Sequence, residues 1–424
     1  MIAKLKKILP EKALALDMGV LFSGFTLQLL TQIGWLVLAL RVLGPGGYGL
    51  FASLTAVTIA LSSLVGLGSD QLLIRHAAGD REALPRWIGH ALLSATLTGL
   101  PLGLLLLALL PLFEIGSIGL WPLAAVLAAD LLFGRYANLC TMIYIATGQA
   151  GRQSLATVLI GAMRLAAIAL AWAAHAALGS GLSLGEWAFW YLGASALAAL
   201  CCLALVVRDH GRPVFAWIQG SWREGLSFAA EGTLQASAAD LDKPIVLELA
   251  GPHAAGLYAA AFRIIGTLYL PIRALGYALY GRLFRMAAGD RAGYGLRLLP
   301  VGLGLGLAAA LGVLVFADLL PWIFGAAYAE LPPLLRLICL TPAAYAAFYI
   351  GADVLSATAR QGQRLAVVAL SLGLTLLLCW IAVPIGGIEA AALARLAVMA
   401  LTAALVWLLA LRRPPSTPGT DPAA

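Results

Sequence analysis

The residues of this chain that could do chemistry are charged side chains set within long apolar segments. Segment 224–250 contains the largest number of them, including Glu231, Asp240, Asp242 and Lys243. On a helix that turns about 100° per residue, Glu231, Gln235 and Asp242 would lie within about 40° of one another. Such a polar face could bind a proton or a sodium ion, so the four charged residues are candidates for ion coupling. Asp240 and Lys243 lie three residues apart, so a structural ion pair is an equally good interpretation.

Segment 255–281 carries a second group, in which tyrosines and arginines share one side. On a helical wheel, an arc of about 100° holds Tyr258, Phe262, Tyr269, Arg273, Tyr277 and Tyr280, and Arg263 lies about 40° beyond its edge. Tyrosines at the ends of a membrane helix ordinarily anchor it at the interface, but Tyr269 and Arg273 lie well inside the segment. Aromatic faces suit sugar rings, and guanidinium groups bind phosphates through two parallel hydrogen bonds. The pattern favours an anionic, sugar-bearing ligand.

Three further arginines lie deep in other apolar segments: Arg135, Arg164 and Arg395. A charge at such a position costs about 2.5–3.5 kcal/mol on insertion into a bilayer, so it usually faces a cavity or a partner. Asp130 is close enough in sequence to Arg135 to be that partner. Buried basic groups equal or outnumber buried carboxylates, which favours an anionic substrate over an organic cation. The predicted lining of a substrate cavity is Gln28, Arg135, Arg164, Gln235, Arg263, Tyr269, Arg273, Tyr277 and Arg395.

Motifs for catalysis and for cofactor binding are missing from the sequence. GPGGYG at 44–49 formally fits a dinucleotide fingerprint, but it joins two apolar segments and follows no strand. No Gly-Lys dipeptide occurs, so there is no Walker A motif and we expect no transport driven by bound ATP. The five histidines lack metal spacing. We therefore expect no catalytic residues, no metal and no cofactor, and the chain is not expected to be an enzyme.

The elements that must position these residues are membrane-spanning helices. Hydrophobic residues make up 62% of the 424 residues and charged residues only 11%, whereas an average soluble domain is about 25% charged. Soluble enzymes and nucleic-acid-binding proteins are thereby excluded. One bilayer crossing needs about 20 predominantly apolar residues. Twelve segments meet that condition, near 16–42, 49–74, 87–112, 118–146, 154–177, 186–207, 224–250, 255–281, 295–317, 332–358, 364–384 and 388–411.

The distribution of basic residues predicts the orientation of these segments. With the N-terminus in the cytoplasm, the inner segments hold 19 of the 27 lysines and arginines, and the outer loops hold none. An excess of basic residues on the cytoplasmic side is the rule for membrane proteins. The predicted outer loops are 43–48, 113–117, 178–185, 251–254, 318–331 and 385–387. We therefore expect a multi-pass membrane protein with both termini in the cytoplasm.

A repeat divides the chain into two halves. LGPGGYGLFASL at 43–54 aligns without gaps with AGPHAAGLYAAA at 250–261, an offset of 207 residues. That offset contains an even number of crossings, so the halves have the same orientation, as in transporters that bind substrate between two repeats. The predicted organisation is a six-helix bundle at 1–207, a cytoplasmic linker at 208–223, a second bundle at 224–411 and a disordered cytoplasmic tail at 412–424. The linker mixes basic and aromatic residues, as a helix lying on the inner leaflet would.

Three sequence stretches carry a resemblance to a known family. They are RVLGPGGYGLFA at 41–52, DKPIVLELAGPHAAGLYAAAFR at 242–263 and FGAAYAELPPLLRLICL at 324–340. With the twelve segments, they resemble the Wzx-like polysaccharide biosynthesis flippases of the MOP superfamily, which also contains the MATE exporters. The resemblance implies two helical bundles around a central cavity. It also implies movement of a polyprenyl-diphosphate-linked oligosaccharide from the inner to the outer leaflet of a bacterial inner membrane.

The substrate implied by this resemblance is a unit of O-antigen (lipopolysaccharide), capsule or exopolysaccharide. The expected partners are that lipid-linked oligosaccharide, membrane lipids, a coupling proton or sodium ion, a polysaccharide polymerase and glycosyltransferases, and no nucleic acid. A cation-coupled small-molecule exporter of the MATE type is the alternative. An intramembrane glycosyltransferase or polymerase is a third interpretation, but such enzymes usually have a large outer loop, and the predicted outer loops are all short.

Overall fold

The computed structural model describes residues 12–77, 80, 82–269, 272, 273, 283, 286 and 288–412. Every regular element within these residues is a helix. The chain divides into two compact units, Met1–Gly256 and Leu257–Ala424. The predicted assignment of six crossings to each half stays a prediction.

Unit 1 is built from long helices joined by short turns. Between α4 and α5 the chain continues as a π-helical segment, Ala129–Gly134, so the two helices belong to one membrane-crossing stretch. The helices of this unit are α1 (Lys12–Ser62), α2 (Ser69–Ala77), α3 (Leu84–Leu109), α4 (Leu120–Ala128), α5 (Arg135–Ala146), α6 (Ala150–Ala177), α7 (Leu184–His210), α8 (Ser221–Asp240) and the first part of α9 (Asp242–Leu268).

The described residues of unit 2 form the rest of α9 and four further helices of at least seven residues each. They are α10 (Ala288–Phe316), α11 (Leu331–Leu337), α12 (Thr341–Ala357) and α13 (Gln361–Leu411). Helix α11 and the turn before it form a bent pair with α12, at an angle of 51°. A one-turn helix, Leu320–Phe324, follows α10.

Glycines interrupt three of the helices, α1, α9 and α13. Gly44 in α1 has φ 65°, Gly251 in α9 has φ 82°, and Gly387 in α13 has φ 62°. Glycine adopts positive φ without the steric cost that a β-carbon brings. In α1 and α9 a proline follows, and proline donates no backbone hydrogen bond. The interruptions fall inside the predicted outer loops 43–48, 251–254 and 385–387, so helical structure breaks where the sequence predicts the chain to turn.

These interruptions bear on the number of membrane crossings. A continuous helix of 51 residues would be about 77 Å long at 1.5 Å per residue, whereas the hydrocarbon core is only about 30 Å thick. The described residues contain eight helices long and apolar enough to cross a membrane, and one bent pair that could cross as a unit. Three of the eight are the interrupted helices. Two crossings in each of those, and one in each of the others, is compatible with the predicted twelve.

Two glycines related by the sequence repeat bring α1 and α9 into backbone contact. A β-carbon added to Gly49 would collide with the carbonyl oxygen of Pro252, and one added to Gly256 would collide with the carbonyl oxygen of Pro45. Both pairs follow the offset of 207 residues, so the contact is the same when the two segments are exchanged. The repeated Gly-Pro motif is therefore a packing motif as well as a helix interruption.

The linker 208–223 differs from its predicted form. Residues 211–218 are not helical, because Gly211 and Gly220 have positive φ and Pro213 lies between them. The linker instead forms a strap bound to the start of α3. The Val214 N–H donates to the carbonyl oxygen of Pro85 at 2.9 Å. His90 accepts from the Ile218 N–H at 3.2 Å. The expected interfacial helix is wrong.

Candidate functional site

The centre of unit 1 contains a hydrogen-bonded carboxylate. Asp130 lies in the π-helical segment, and its side chain is only 8% exposed. Thr58 of α1 donates to its Oδ2, and Tyr191 of α7 donates to its Oδ1 at 2.6 Å. Single π-helical turns inside α-helices occur frequently at functional sites. Asp130 therefore joins three membrane helices through one side chain.

Arg164 of α6 lies next to this carboxylate. Its Nη2 is 3.8 Å from Asp130 Oδ1, and its guanidinium carbon is 4.9 Å from the centre of the Tyr191 ring. Within the described residues, its buried Nε has no hydrogen-bond partner. The Arg164 side chain as a whole is 32% exposed. Because Arg164 is charged, incompletely hydrogen-bonded and accessible, it can donate to an anion.

Arg135 has a different environment from the one that the sequence suggests. Its Nη2 donates to the carbonyl oxygen of Val65 at 3.0 Å and lies 3.5 Å from Asp70 Oδ2. Its side chain is 13% exposed. The expected pairing of Arg135 with Asp130 is therefore wrong, because the π-helical segment turns Asp130 towards Arg164. Arg135 holds the turn between α1 and α2 in place.

The acidic group of segment 224–250 is divided by the end of a helix. Helix α8 ends at Asp240 and α9 begins at Asp242, so a single helical wheel does not apply across Leu241. Asp242 is 2% exposed, whereas Gln235 is exposed and donates to Glu231 Oε1 at 3.0 Å. The three residues do not form the one continuous face that the wheel predicts.

Asp240 and Lys243 form the ion pair that the sequence allowed. Lys243 Nζ donates to Asp240 Oδ1, and the lysine is 7% exposed. Ser53 of α1 also donates to the Lys243 carbonyl oxygen at 3.2 Å, so this region packs against α1. Gln28, also in α1, is partly buried. The ion-coupling role of Glu231, Asp240, Asp242 and Lys243 stays a prediction.

Unit 2 contains a cluster of aromatic rings around one buried arginine. The Tyr269 ring stacks on Tyr349 with 5.1 Å between centres and lies 5.4 Å from the Tyr345 ring. The Arg395 guanidinium carbon is 4.2 Å from the centre of the Phe262 ring, and its Nη2 is 3.5 Å from the Tyr345 hydroxyl oxygen. We call these five residues the aromatic cluster. It provides ring faces, tyrosine hydroxyls and one cation.

The other predicted site residues of segment 255–281 lie outside this cluster. Arg263 is partly buried, and its side chain forms no hydrogen bond or ion pair with any residue that the structure describes. Arg273 is exposed. Tyr277 lies outside the described residues.

Sequence reasoning missed part of the site. It treated Asp130 only as a partner for Arg135, and it overlooked segment 332–358 altogether. Tyr345 and Tyr349 lie four residues apart in that segment, which is the spacing of one helical face. A search of every apolar segment for polar residues at this spacing would have found them.

The described cavity with the largest volume is apolar. It measures about 550 Å³ and lies along α6 and α7. Its lining residues are Met163, Ala166, Ala167, Leu170, His175, Glu186, Phe189, Trp190, Gly193, Ala194 and Leu197. Only His175 and Glu186 are charged or titratable, so this groove suits a hydrocarbon chain better than a charged head group.

Comparison with solved structures places the fold among known transporters. The chain is similar to a structure described as the inward-facing conformation of a multidrug resistance MATE family transporter of the MOP superfamily. The TM-score is 0.74 at 16% identity, covering 90% of this chain and 93% of the other. A structure described as the outward-facing conformation of such a transporter gives 0.66 at 17% identity and 93% coverage of both chains.

A third structure is a MOP superfamily transporter from Pyrococcus furiosus, in which reverse polarity of the binding pocket is said to suggest a different function. It gives a TM-score of 0.63 at 15% identity, again with 93% coverage of both chains. Identities this low show the fold alone. No curated protein matches the sequence.

The sequence itself matches one family model. The model describes polysaccharide biosynthesis proteins and covers residues 14–286, which is more than half of the chain. Both interrupted Gly-Pro helices, the Asp130 network and Arg164 lie within the matched range. The chain therefore belongs to the polysaccharide biosynthesis protein family and is a multi-pass membrane protein with the fold of MATE-type transporters of the MOP superfamily.

Proposed function

We propose that the protein is a flippase for a polyprenyl-diphosphate-linked oligosaccharide, a unit of O-antigen, capsule or exopolysaccharide. It moves this lipid from the inner to the outer leaflet of a bacterial inner membrane by alternating access, with both termini in the cytoplasm. The observation that carries the proposal is Arg164, a partly exposed cation with one unsatisfied nitrogen inside a membrane helix of a polysaccharide biosynthesis protein.

The diphosphate is the part of this substrate that is most costly to move across hydrocarbon. Its negative charges require fixed cations along the path, because an isolated charge in a medium of low dielectric constant is strongly unfavourable. Arginine suits this task, since its planar fork of donors matches phosphate oxygens and it stays protonated. Arg164 in unit 1 is a candidate for this role because its Nε has no described partner. Arg263 in unit 2 is a second candidate because its side chain has no described partner.

The aromatic cluster of unit 2 supports the oligosaccharide part of the proposal. Sugar rings have apolar faces and polar edges, so they pack on flat rings and bond to nearby hydroxyls. Tyr269 and Tyr349 provide stacked rings, and the Tyr345 hydroxyl lies beside Arg395. This combination offers both kinds of contact within a few ångströms.

Reconstitution in liposomes tests the proposal directly. A fluorescent polyprenyl-diphosphate oligosaccharide is placed in both leaflets, and a membrane-impermeant quencher measures the fraction that exchanges. We expect exchange with the wild-type protein and at least a tenfold slower rate for Arg164→Ala. The matched control is Arg336→Ala, because Arg336 forms an exposed ion pair with Asp318. Absence of exchange with the folded wild-type protein would refute the flippase.

A cation-coupled small-molecule exporter is the second candidate, favoured by the MATE transporters to which the fold is similar. The same liposomes distinguish it from the flippase. An imposed proton or sodium gradient should then drive uptake of an organic cation, with no movement of the lipid-linked oligosaccharide. Glu231, Asp240 and Asp242 are the proposed coupling groups under either function, and their joint amide variant should lose the response to the gradient.

A further inference from the structure

The Asp130 carboxylate is held beside Arg164 without being hydrogen-bonded to it. Each of its oxygens accepts a hydrogen bond from a different helix, one from Thr58 and one from Tyr191. The nearest Arg164 nitrogen lies 3.8 Å away, beyond hydrogen-bond distance. The position of the carboxylate is therefore fixed by two neutral hydroxyl donors rather than by the cation that balances its charge.

This spacing differs from that of a structural ion pair. Arginine and a carboxylate usually join through short, parallel hydrogen bonds that use the guanidinium fork. Arg152 and Asp209, in the same unit, come close to this arrangement, with 2.9 Å from Nε to Oδ2 and 3.0 Å from Nη2 to Oδ1. Arg164 stays apart from its carboxylate, its Nε has no described partner, and its side chain is 32% exposed. The pair is neutral overall, yet the guanidinium is available to a second acceptor.

We propose that Asp130 is a fixed counter-ion that competes with the substrate and so sets how tightly Arg164 holds the phosphate oxygens of the substrate. The inference rests on the proposed function. Without substrate, Asp130 balances the Arg164 charge inside the membrane. With substrate, the phosphate takes the Arg164 donors while the fixed carboxylate stays nearby and repels it, since interaction between charges at a few ångströms is strong where water is scarce. Asp130 contacts Arg164 and is thus a positioning residue.

A lower affinity of Arg164 for the diphosphate is needed because a flippase must release the lipid that it binds. A diphosphate held by an arginine with no competing charge would leave slowly, and turnover would be limited by release. The carboxylate lowers the affinity for the bound lipid at the site where the charge of that lipid is recognised. The prediction that follows is unusual, since removal of a buried hydrogen-bonded group should strengthen ligand binding.

The test measures binding of a sugar-free polyprenyl diphosphate to the purified full chain in nanodiscs, with neutral polyprenol as the blank. Asp130→Asn keeps the shape of the side chain, and Tyr191 can still donate to its carbonyl oxygen. Thr58 can then accept from the amide and donate to the Thr55 carbonyl oxygen, which is already 3.1 Å away. We expect about tenfold tighter binding, with a lower KM and a lower kcat for flipping.

A second variant separates this role from a purely structural one. Thr58→Val removes the donor to Oδ2, so the carboxylate is free to move onto Arg164 and occupy its donors. Binding should then weaken several-fold, opposite in direction to Asp130→Asn. Asp318→Asn is the control, because its carboxylate also pairs with an arginine but lies on an exposed outer segment. Asp318→Asn should change neither the affinity for polyprenyl diphosphate nor the KM and kcat of flipping.

The outcomes are distinct. Unchanged or weaker binding by folded Asp130→Asn overturns the counter-ion role while leaving the flippase intact. If Asp130→Asn does not fold, unchanged or tighter binding by Thr58→Val overturns it equally. If the wild-type protein neither binds nor flips the lipid diphosphate, the proposed function fails and this inference fails with it.

Discussion

At the scale of single residues, the arginines of the membrane helices differ in what satisfies their donors. Arg135 donates to a backbone carbonyl and pairs with Asp70, so its charge stabilises a turn. Arg395 lies over an aromatic ring and is 6% exposed. Arg164 alone of these three combines exposure with a buried nitrogen that has no described partner. The three arginines carry the same charge, but each has a different set of partners.

Arg395→Lys should lower the thermal stability of the protein. A flat guanidinium can lie over Phe262 and reach the Tyr345 hydroxyl at once, whereas a compact ammonium is more strongly hydrated and cannot do both. A desolvated cation–π contact contributes about 2 kcal/mol. Tryptophan fluorescence during heating in detergent should show a lower unfolding temperature than for Arg336→Lys, which changes an exposed arginine. Equal unfolding temperatures for Arg395→Lys and the wild-type protein would contradict the prediction.

At the scale of helices, the repeated Gly-Pro motif both interrupts a helix and allows close packing, and only the interruption could be predicted from the sequence. The proline and the glycine before it predict an interruption, and the structure contains one at each copy. The close backbone contacts of Gly49 and Gly256 could not be predicted from the sequence, because they depend on how α1 and α9 approach each other. The order of residues within one segment predicts where its helix breaks, whereas the contacts of that helix also depend on the helix that packs against it.

Gly49→Ala and Gly256→Ala should each destabilise unit 1. The added methyl group would meet a carbonyl oxygen of the facing helix, and overpacking of this kind costs about 1–3 kcal/mol. Gly46→Ala is a matched control in the same turn, since its β-carbon would lie at an ordinary 4.0 Å from Pro252 Cβ. Unfolding temperature and yield of folded protein should fall for the first two variants only. Wild-type values for all three would show that α1 and α9 separate without cost.

At the scale of the whole molecule, composition and charge distribution were the most informative parts of the sequence. They predict an all-helical membrane protein, and the fold and the family match confirm this class. The site was harder to predict. Asp130 and Arg164 lie on different segments, and their approach depends on a π-helical turn that no residue pattern marks. Likewise, one helix ends at Asp240 and the next begins at Asp242, and Pro244 in the first turn of the second helix is the sequence signal of that break. The wheel drawn through Leu241 did not use this proline and so misplaced Asp242.

Reporter fusions test the predicted orientation. Fusions after Arg208 and after Arg413 should report the cytoplasm, and fusions near Ser180 and Ala327 should report the outer side, because basic residues concentrate in the inner segments. Alkaline phosphatase, active outside, and green fluorescent protein, fluorescent inside, give opposite signals at each position. A single internal fusion with the reversed signal would contradict twelve crossings with both ends inside.

The helix interruptions at Gly44, Gly251 and Gly387 also affect how much of the chain is accessible from the outer side of the membrane. With these turns on the outer side, as predicted, the chain reverses there through a few residues that remain close to helical structure. Proteases and antibodies act mainly on exposed loop tips, where the backbone is accessible. Such turns provide little chain to cleave and few side chains to bind. These three turns would therefore resist proteases on the outer side of the membrane better than a loop of ordinary length.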